Sequence, residues 1–154
     1  MHALLDIREL LIEAEIEGQW RPIVNRLNLV LAEGEIVGLI GESGAGKSTL
    51  GLAALGYTKP GCRIVSGSIK LAGQELTTLT DEELRQIRGN RVSYVAQSAA
   101  AAFNPAHRLL EQFVEAPVQH GKMSKTAAGQ RGRDLYAQLD LPEPERIGER
   151  FPHQ

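Results

Sequence analysis

A chain of 154 residues, 42% hydrophobic and 23% charged, is long enough to bury the core of one domain, and a net charge of −2 with both signs interspersed argues against a dedicated nucleic-acid binder. A single cysteine, Cys62, excludes an internal disulfide and fits a reducing cytoplasm. No apolar stretch approaches the ~20 residues of a membrane span, and the start at Met1 lacks the basic residues and long apolar core of a signal peptide, so the chain is expected to be soluble and to reach a membrane only through a partner.

In chain order, residues 10–17 and 23–31 mix Leu, Ile and Val with charges in partial alternation, which predicts two strands. The stretch from Glu17 to Pro22, which contains Trp20, reads as the turn between them, and Ala32-Glu33-Gly34 as a second turn. Residues 35–40 read as a buried strand and residues 47–57 as a helix, with Leu50, Leu52, Ala53 and Leu55 apolar. Lys59-Pro60-Gly61 breaks the chain before a strand over 64–71. Thr80 followed by Glu83 is a capping box that opens a short helix ending at Gly89. A further strand is predicted over 91–96, with Gln97 directly after it. From residue 106 the pattern is helical, with breaks at Pro117 and Gly121, an N-cap at Ser124, and Pro142 and Pro144 before a last turn. There is no internal repeat, and the Ala99 to Ala102 run is only a short apolar bias.

The chemistry concentrates in Gly41-Glu42-Ser43-Gly44-Ala45-Gly46-Lys47-Ser48-Thr49, which satisfies the phosphate-loop (Walker A) pattern G-x-x-x-x-G-K-[ST] from Gly41 to Ser48. At average abundances, the four fixed positions match by chance in roughly one chain of this length in two hundred. The glycines let successive backbone N–H groups turn inward toward phosphate oxygens. Lys47 adds a charge that reaches the β- and γ-phosphates. The Ser48 hydroxyl suits Mg2+, which prefers oxygen ligands and phosphate partners. Thr49 adds a hydroxyl at the positive end of the following helix. Strand, glycine loop and helix is the context the motif requires. The remaining polar residues do not form a second centre. His2, His107, His120 and His153 lack metal-ligand spacing, and Asp81-Glu82-Glu83 is accounted for as a helix start.

The run from Gly34 to Thr49, Ser66-Gly67-Ser68-Ile69, Gly73-Gln74-Glu75-Leu76, Leu84 to Gly89 and Val92-Ser93-Tyr94-Val95-Ala96-Gln97 together resemble the ATP-hydrolysing subunit of an ATP-binding cassette (ABC) transporter. Phe103-Asn104-Pro105 and Phe151-Pro152-His153 are similar to the branch that drives dipeptide, oligopeptide and nickel import. The resemblance covers nearly the whole chain. It implies an α/β P-loop NTPase fold with an N-terminal antiparallel β-subdomain, a RecA-like core part and the start of a helical subdomain. Residues 1–100 would carry the β-subdomain and phosphate-loop part of the core, and 101–154 the Q-loop exit and part of the helical subdomain. It also implies that the 35–40 and 91–96 strands share one largely parallel sheet.

The same resemblance implies ATP and Mg2+ as cofactors, held by residues 41–49, with Ser48 and Gln97 at the metal. Gln97 would also orient the attacking water, and its loop would touch a transmembrane permease subunit. The chain departs from the branch just after Gln97, where Ser98 and alanines stand in place of an acidic residue and proline. Family members stack adenine on an aromatic residue about two dozen positions before the loop. That spacing falls here on Gly18, and Trp20 is the nearest aromatic. A second ATPase subunit, a peripheral place on the cytoplasmic face of the inner membrane, and no nucleic-acid partner complete the implied picture.

The chain is expected to be an N-terminal fragment, since Phe151-Pro152-His153-Gln154 stops where the family's Leu-Ser-Gly-Gly-Gln signature would follow. No four apolar residues followed by Asp-Glu supply a Walker B strand. Two other readings stay open at this level: a small P-loop kinase, and a non-catalytic nucleotide-binding module that regulates a partner.

Overall fold

Residues 3–32 form a long antiparallel hairpin of β1 (Ala3–Ile16) and β2 (Gln19–Ala32). Its two-residue turn places Glu17 (φ 52°) and Gly18 (φ 74°) in the left-handed region, the geometry that matches strand twist. The turn is therefore shorter than the sequence suggests, and Trp20 lies in β2 opposite Glu15. β3 (Cys62–Leu71) pairs antiparallel with the other edge of β1, and the short β4 (Gln74–Glu75) with β3, giving the order β2-β1-β3-β4. The structure is a computed structural model that describes residues 3–98 and 102–154. The chain divides into two compact units, Met1–Arg88 and Gly89–Gln154.

The core of the first unit follows from where the strands slip register. Ile7, Leu10 and Ile12 are fully buried, although a regular strand would bury every second residue. Glu9 (φ 45°) is the extra residue that restores the face, and the pairing jumps from Ile7↔Leu29 to Leu10↔Leu27 across it. On β2 the compensating irregularity surrounds Arg26 (φ 45°), between Leu27 and Val24. Neither residue is glycine, so the left-handed backbone needs support. Asn28 supplies it: its Oδ1 accepts from Glu9 N (3.0 Å), and its Nδ2 donates to Glu9 Oε1 (2.7 Å) and Arg26 O (3.3 Å). Across β1, Gly67 has φ 104°, and a Cβ there would fall 2.6 Å from Leu10 Cα, so only glycine lets β3 lie against the bulge.

Three short pieces complete this unit. α1 (Lys47–Ala53) buries Leu50 and Ala53. α2 (Asp81–Ile87) buries Leu84 and Ile87 and opens on the expected capping box, with Thr80 Oγ1 accepting from Glu83 N and Glu83 Oε2 accepting from Thr80 N. The Arg88 guanidinium donates from Nε to Leu55 O (3.0 Å) and from Nη2 to Gly56 O (2.6 Å), tying the end of α2 to the end of α1.

Residues 35–40 and 91–96, expected as strands, carry no strand assignment beyond an isolated bridge residue at Val92. Neither stretch joins a ladder of the sheet among the described residues, and Ile36 and Ile40 are 97% and 99% exposed. The physical reason is that a strand exists through pairing. The four-stranded sheet pairs its own members and leaves these two runs outside.

In the second unit, α3 (Leu109–Gln119) packs on α4 (Lys125–Gln138) and on a 3-10 turn at Ile147–Glu149. Pro117, expected to break a helix, lies inside α3. It sits in the last turn, and its carbonyl accepts from the N–H groups of Lys122 and Met123, so it closes the helix instead of interrupting it. Ser124 caps α4 as expected, its Oγ accepting from Ala127 N. Gly132 and Gly148 admit Leu110 and Phe113 closely, and Phe113 and Tyr136 pack at 6.4 Å between ring centroids. Burial raises the pKa of the Tyr136 hydroxyl. Of the alanine run and departure after Ser98, residues 99–101 lie outside the described residues.

Glu75 locks the β3–β4 hairpin. Burial pushes its carboxyl up, but the Ser68 hydroxyl, the Thr77 hydroxyl and the N–H groups of Ile69 and Thr77 all donate to it and hold its pKa at about 2. A depressed carboxylate stabilises the fold above its ordinary pKa and loses that contribution as pH falls toward its folded value. Glu75→Gln is therefore expected to lower Tm at pH 7 by about 4–8 °C, the effect of about 1 kcal/mol in a unit of this size. The gap to wild type should close as pH falls from 4.5 toward 2. Thermal melts across that range check it, and a gap independent of pH would exclude the carboxylate as the cause.

Candidate nucleotide site

The segment 41–46 leads from the hairpin into α1 with Gly44 at φ 85° and Gly46 at φ 80°, both in the left-handed region. Gly46 is also the point of closest approach to the sheet. A Cβ there would lie 2.6 Å from the Ile23 carbonyl oxygen and 3.3 Å from Val24 Cγ2. Ile23 is itself irregular: the pairing passes from Ile12↔Val24 to Glu13↔Pro22 and leaves it opposite no residue of β1. A bulge on β2 thus forms the seat of the loop.

The electrostatics at this seat are those of an anion site. α1 begins at Lys47 with no side-chain cap from Gly46 and no acidic residue in its first turn. Its first N–H groups lack i−4 partners within the helix and carry the positive end of its dipole. Lys47 folds back over the loop, its Nζ donating to the carbonyls of Gly41 and Glu42, each at 2.6 Å. Gly41, Glu42, Ser43, Gly44, Ala45 and Ser48 are exposed. Backbone N–H groups, one ammonium and the hydroxyls of Ser48 and Thr49 form a donor set that fits a phosphate chain. Among the described residues no three His, Cys, Asp or Glu side chains cluster to hold a metal. A divalent ion here would rest on phosphate oxygens and the Ser48 hydroxyl, the arrangement Mg2+ favours.

The structure gathers residues 41–49 into one loop and helix start. Trp20 lies on the same β2 as Ile23, 40% exposed, with Arg63 over its ring. Gln97 is exposed and belongs to the other unit. The second unit holds an open groove of about 440 Å³ lined by Leu110, Val114, Lys125 and Arg133 among others. It has no glycine loop, so the chemistry sides with the phosphate loop. Sequence reading missed the Ile23 carbonyl, the Arg63 contact and the Arg88 clasp, because each depends on register across strands or on a distant helix end.

The sequence profile of the ABC transporter family matches residues 24–152. The chain belongs to this family. Among curated ABC relatives, the oligopeptide transport ATP-binding protein AppD of Bacillus subtilis is 36% identical over 86% of this chain and 41% of its own length. The dipeptide transport ATP-binding protein DppD of Escherichia coli is 31% identical over 99% of this chain and 46% of its own. The chain thus spans less than half the length of the curated relatives it matches. A solved ATP-binding cassette, a dimer in a post-hydrolysis state bound to ADP and Pi, superposes with TM-score 0.76 at 22% identity, over 97% of this chain and 62% of that one. That likeness bears out the expected α/β cassette fold. Among the described residues no helix is long and apolar enough to cross a membrane.

The two left-handed glycines are expected to respond differently to a methyl group. Gly44→Ala should lower Tm by about 4–8 °C, the ~1 kcal/mol of an alanine held in the left-handed region. Gly46→Ala adds a collision with the Ile23 carbonyl and should lose more than twice as much. Equal losses in thermal melts would show that Gly46 does not seat the loop on β2.

Proposed function

We propose that the chain binds ATP·Mg through residues 41–49, as the N-terminal part of the ATP-binding protein of an ABC importer for peptides or a similar small solute. The observation that carries the reading is the loop itself. It pairs two left-handed glycines with an uncapped helix N-terminus and an overlying lysine, in a chain whose relatives are named for oligopeptide and dipeptide transport. Backbone N–H groups from Gly44 to Thr49 orient the phosphates, and Lys47 exchanges its two carbonyl partners for β- and γ-phosphate oxygens. Mg2+, when bound, supplies charge neutralisation across those oxygens. Ser48 would hold it from this loop, and Gln97 would orient the water. Trp20 would stack the base.

In this reading residues 1–100 form the β-subdomain and phosphate-loop core, and 101–154 lead from the Q-loop into a partial helical subdomain. The region around Gln97 faces a permease subunit, a second ATPase subunit completes the site, and the assembly is peripheral on the cytoplasmic face of the inner membrane. No nucleic acid is required. Family membership and the long hairpin ahead of the loop weigh against a small kinase.

Phosphoryl transfer to water needs a positioned catalytic carboxylate beside the phosphate grip and Gln97, and the sequence has no run of four apolar residues followed by Asp-Glu to supply one. The 154-residue chain alone is therefore expected to bind a fluorescent ATP analogue with no turnover. Lys47→Ala should weaken binding about tenfold or more, the loss of a charge-assisted contact to phosphate. Equal binding by wild type and variant would remove the site assignment. Magnesium-dependent phosphate release that disappears in Lys47→Ala would show that the chain hydrolyses ATP unaided.

A further inference from the structure

Helix α1 carries the phosphate-facing N–H groups at one end, and its other end is held by a clasp from α2. The last carbonyls of α1 are answered locally. Leu50 O accepts from Ala54 N (3.0 Å), Leu52 O from Leu55 N (3.0 Å) and Ala53 O from Gly56 N (2.8 Å). The next two carbonyls in the turn, those of Leu55 and Gly56, are taken by one side chain. Arg88 donates to them from Nε at 3.0 Å and from Nη2 at 2.6 Å. The guanidinium also stands 5.7 Å from the centroid of the Tyr57 ring. Beside it, Gly56 has φ 67°, and a Cβ there would fall 2.6 Å from Leu84 Cδ2, so α2 lies directly on the turn that ends α1.

Apolar packing does not account for the arginine. Leu84 and Ile87 already bury α2, and Leu50, Ala53 and Leu55 bury α1 and its end. Contacts of that kind are non-directional, whereas a planar fork on two successive carbonyls fixes an orientation. α1 is therefore held at two points, by Gly46 against the Ile23 carbonyl just before its first residue and by Arg88 just past its last. Its seven residues make a strut about 10 Å long at 1.5 Å rise per residue. Held only at Gly46, the strut could pivot, and the N–H groups of residues 47–49 would turn with it. Hydrogen bonds weaken steeply as the donor angle departs from linear.

We infer that Arg88 is a positioning residue for phosphate binding. By clamping the far end of α1, it fixes the direction in which residues 47–49 present their N–H groups. The inference rests on the phosphate-binding reading of residues 41–49 and extends it to a side chain outside the motif. The effect falls on the phosphates, so it is the same for a nucleotide and for bare polyphosphate. It also differs from that of a merely stabilising contact, which changes how much of the chain is folded and not how tightly the folded chain binds.

Affinities for inorganic tripolyphosphate·Mg and ATP·Mg would be measured by calorimetry well below Tm. The proteins are wild type, Arg88→Ala, Arg88→Lys, Lys47→Ala and Glu75→Gln, with thermal melts alongside. Arg88→Ala should weaken both ligands about three- to tenfold, the scale of a few misaligned hydrogen bonds. Glu75→Gln, which lowers Tm from the β3–β4 hairpin, should leave both affinities unchanged. Arg88→Lys should recover only part of the loss, since an ammonium keeps the charge but not the planar fork. If Arg88→Ala lowers Tm without changing either affinity, or if Arg88→Lys binds as wild type does, the inference is overturned. It is overturned equally if Glu75→Gln weakens binding as much as Arg88→Ala, since lost stability would then explain both. Equal binding of tripolyphosphate by wild type and Lys47→Ala would instead remove the phosphate site itself; weakening by Lys47→Ala and not by Arg88→Ala would remove only the role of Arg88. Should Arg88→Ala not fold, Arg88→Lys carries the same comparison, with a loss of about twofold or more expected.

Discussion

Strand β1 is hydrogen-bonded along both edges, to β2 on one side and β3 on the other, and this double pairing sets every position that matters in the first unit. It buries Ile7, Leu10 and Ile12 completely. It also brings residues from distant parts of the sequence to one strand: β2 presents Ile23 to the phosphate loop, and β3 delivers Arg63 to the Trp20 ring. The strand achieves this only because it is irregular. With perfect alternation Leu10 would leave the face that Ile7 occupies; one extra residue at Glu9 returns it, and Asn28 pays for the left-handed backbone with three hydrogen bonds.

The seat of the phosphate loop is a second irregularity, three residues along β2 from Arg26. The unopposed Ile23 carbonyl and the missing Cβ of Gly46 fit each other, so the loop is fixed against the sheet at its last residue and exposed elsewhere. At the opposite end of α1, the carbonyls of Leu55 and Gly56 are taken by Arg88. A positive guanidinium there complements the negative end of the helix dipole, while the positive end is left for an anion. The short helix is polarised by its neighbours at one end and available at the other.

Much of this was legible in the chain. The phosphate loop, the Thr80 capping box and the Ser124 cap are local chemistry, written in residues three to eight positions apart, and they appear where the pattern places them. The expected strands over 35–40 and 91–96 were read from apolar content, but pairing depends on partners that local content does not contain. Trp20 was assigned to a turn because Gly18 and Pro22 flank it, whereas a two-residue turn at Glu17 and Gly18 suffices. Pro117 was misread for a similar reason. Its effect depends on distance from the helix end, and two residues from that end it has little ladder left to break. The contacts around Arg63 and Ile23 needed a register that no spacing rule supplies.

The phosphate loop also sits inside a long excursion. Residues 33–61 leave β2 and return as β3, and both of those strands are clamped to β1. The hairpin can form by itself from neighbouring residues, whereas docking β3 requires the ends of this 29-residue excursion to meet. Ring closure of that kind grows only slowly with length, as about (3/2)RT ln n, so additions within the excursion are tolerated thermodynamically. Its effect on timing is larger, because non-local pairing is late in folding. The phosphate loop should therefore acquire its final curvature last, when β3 arrives and the excursion becomes a closed ring.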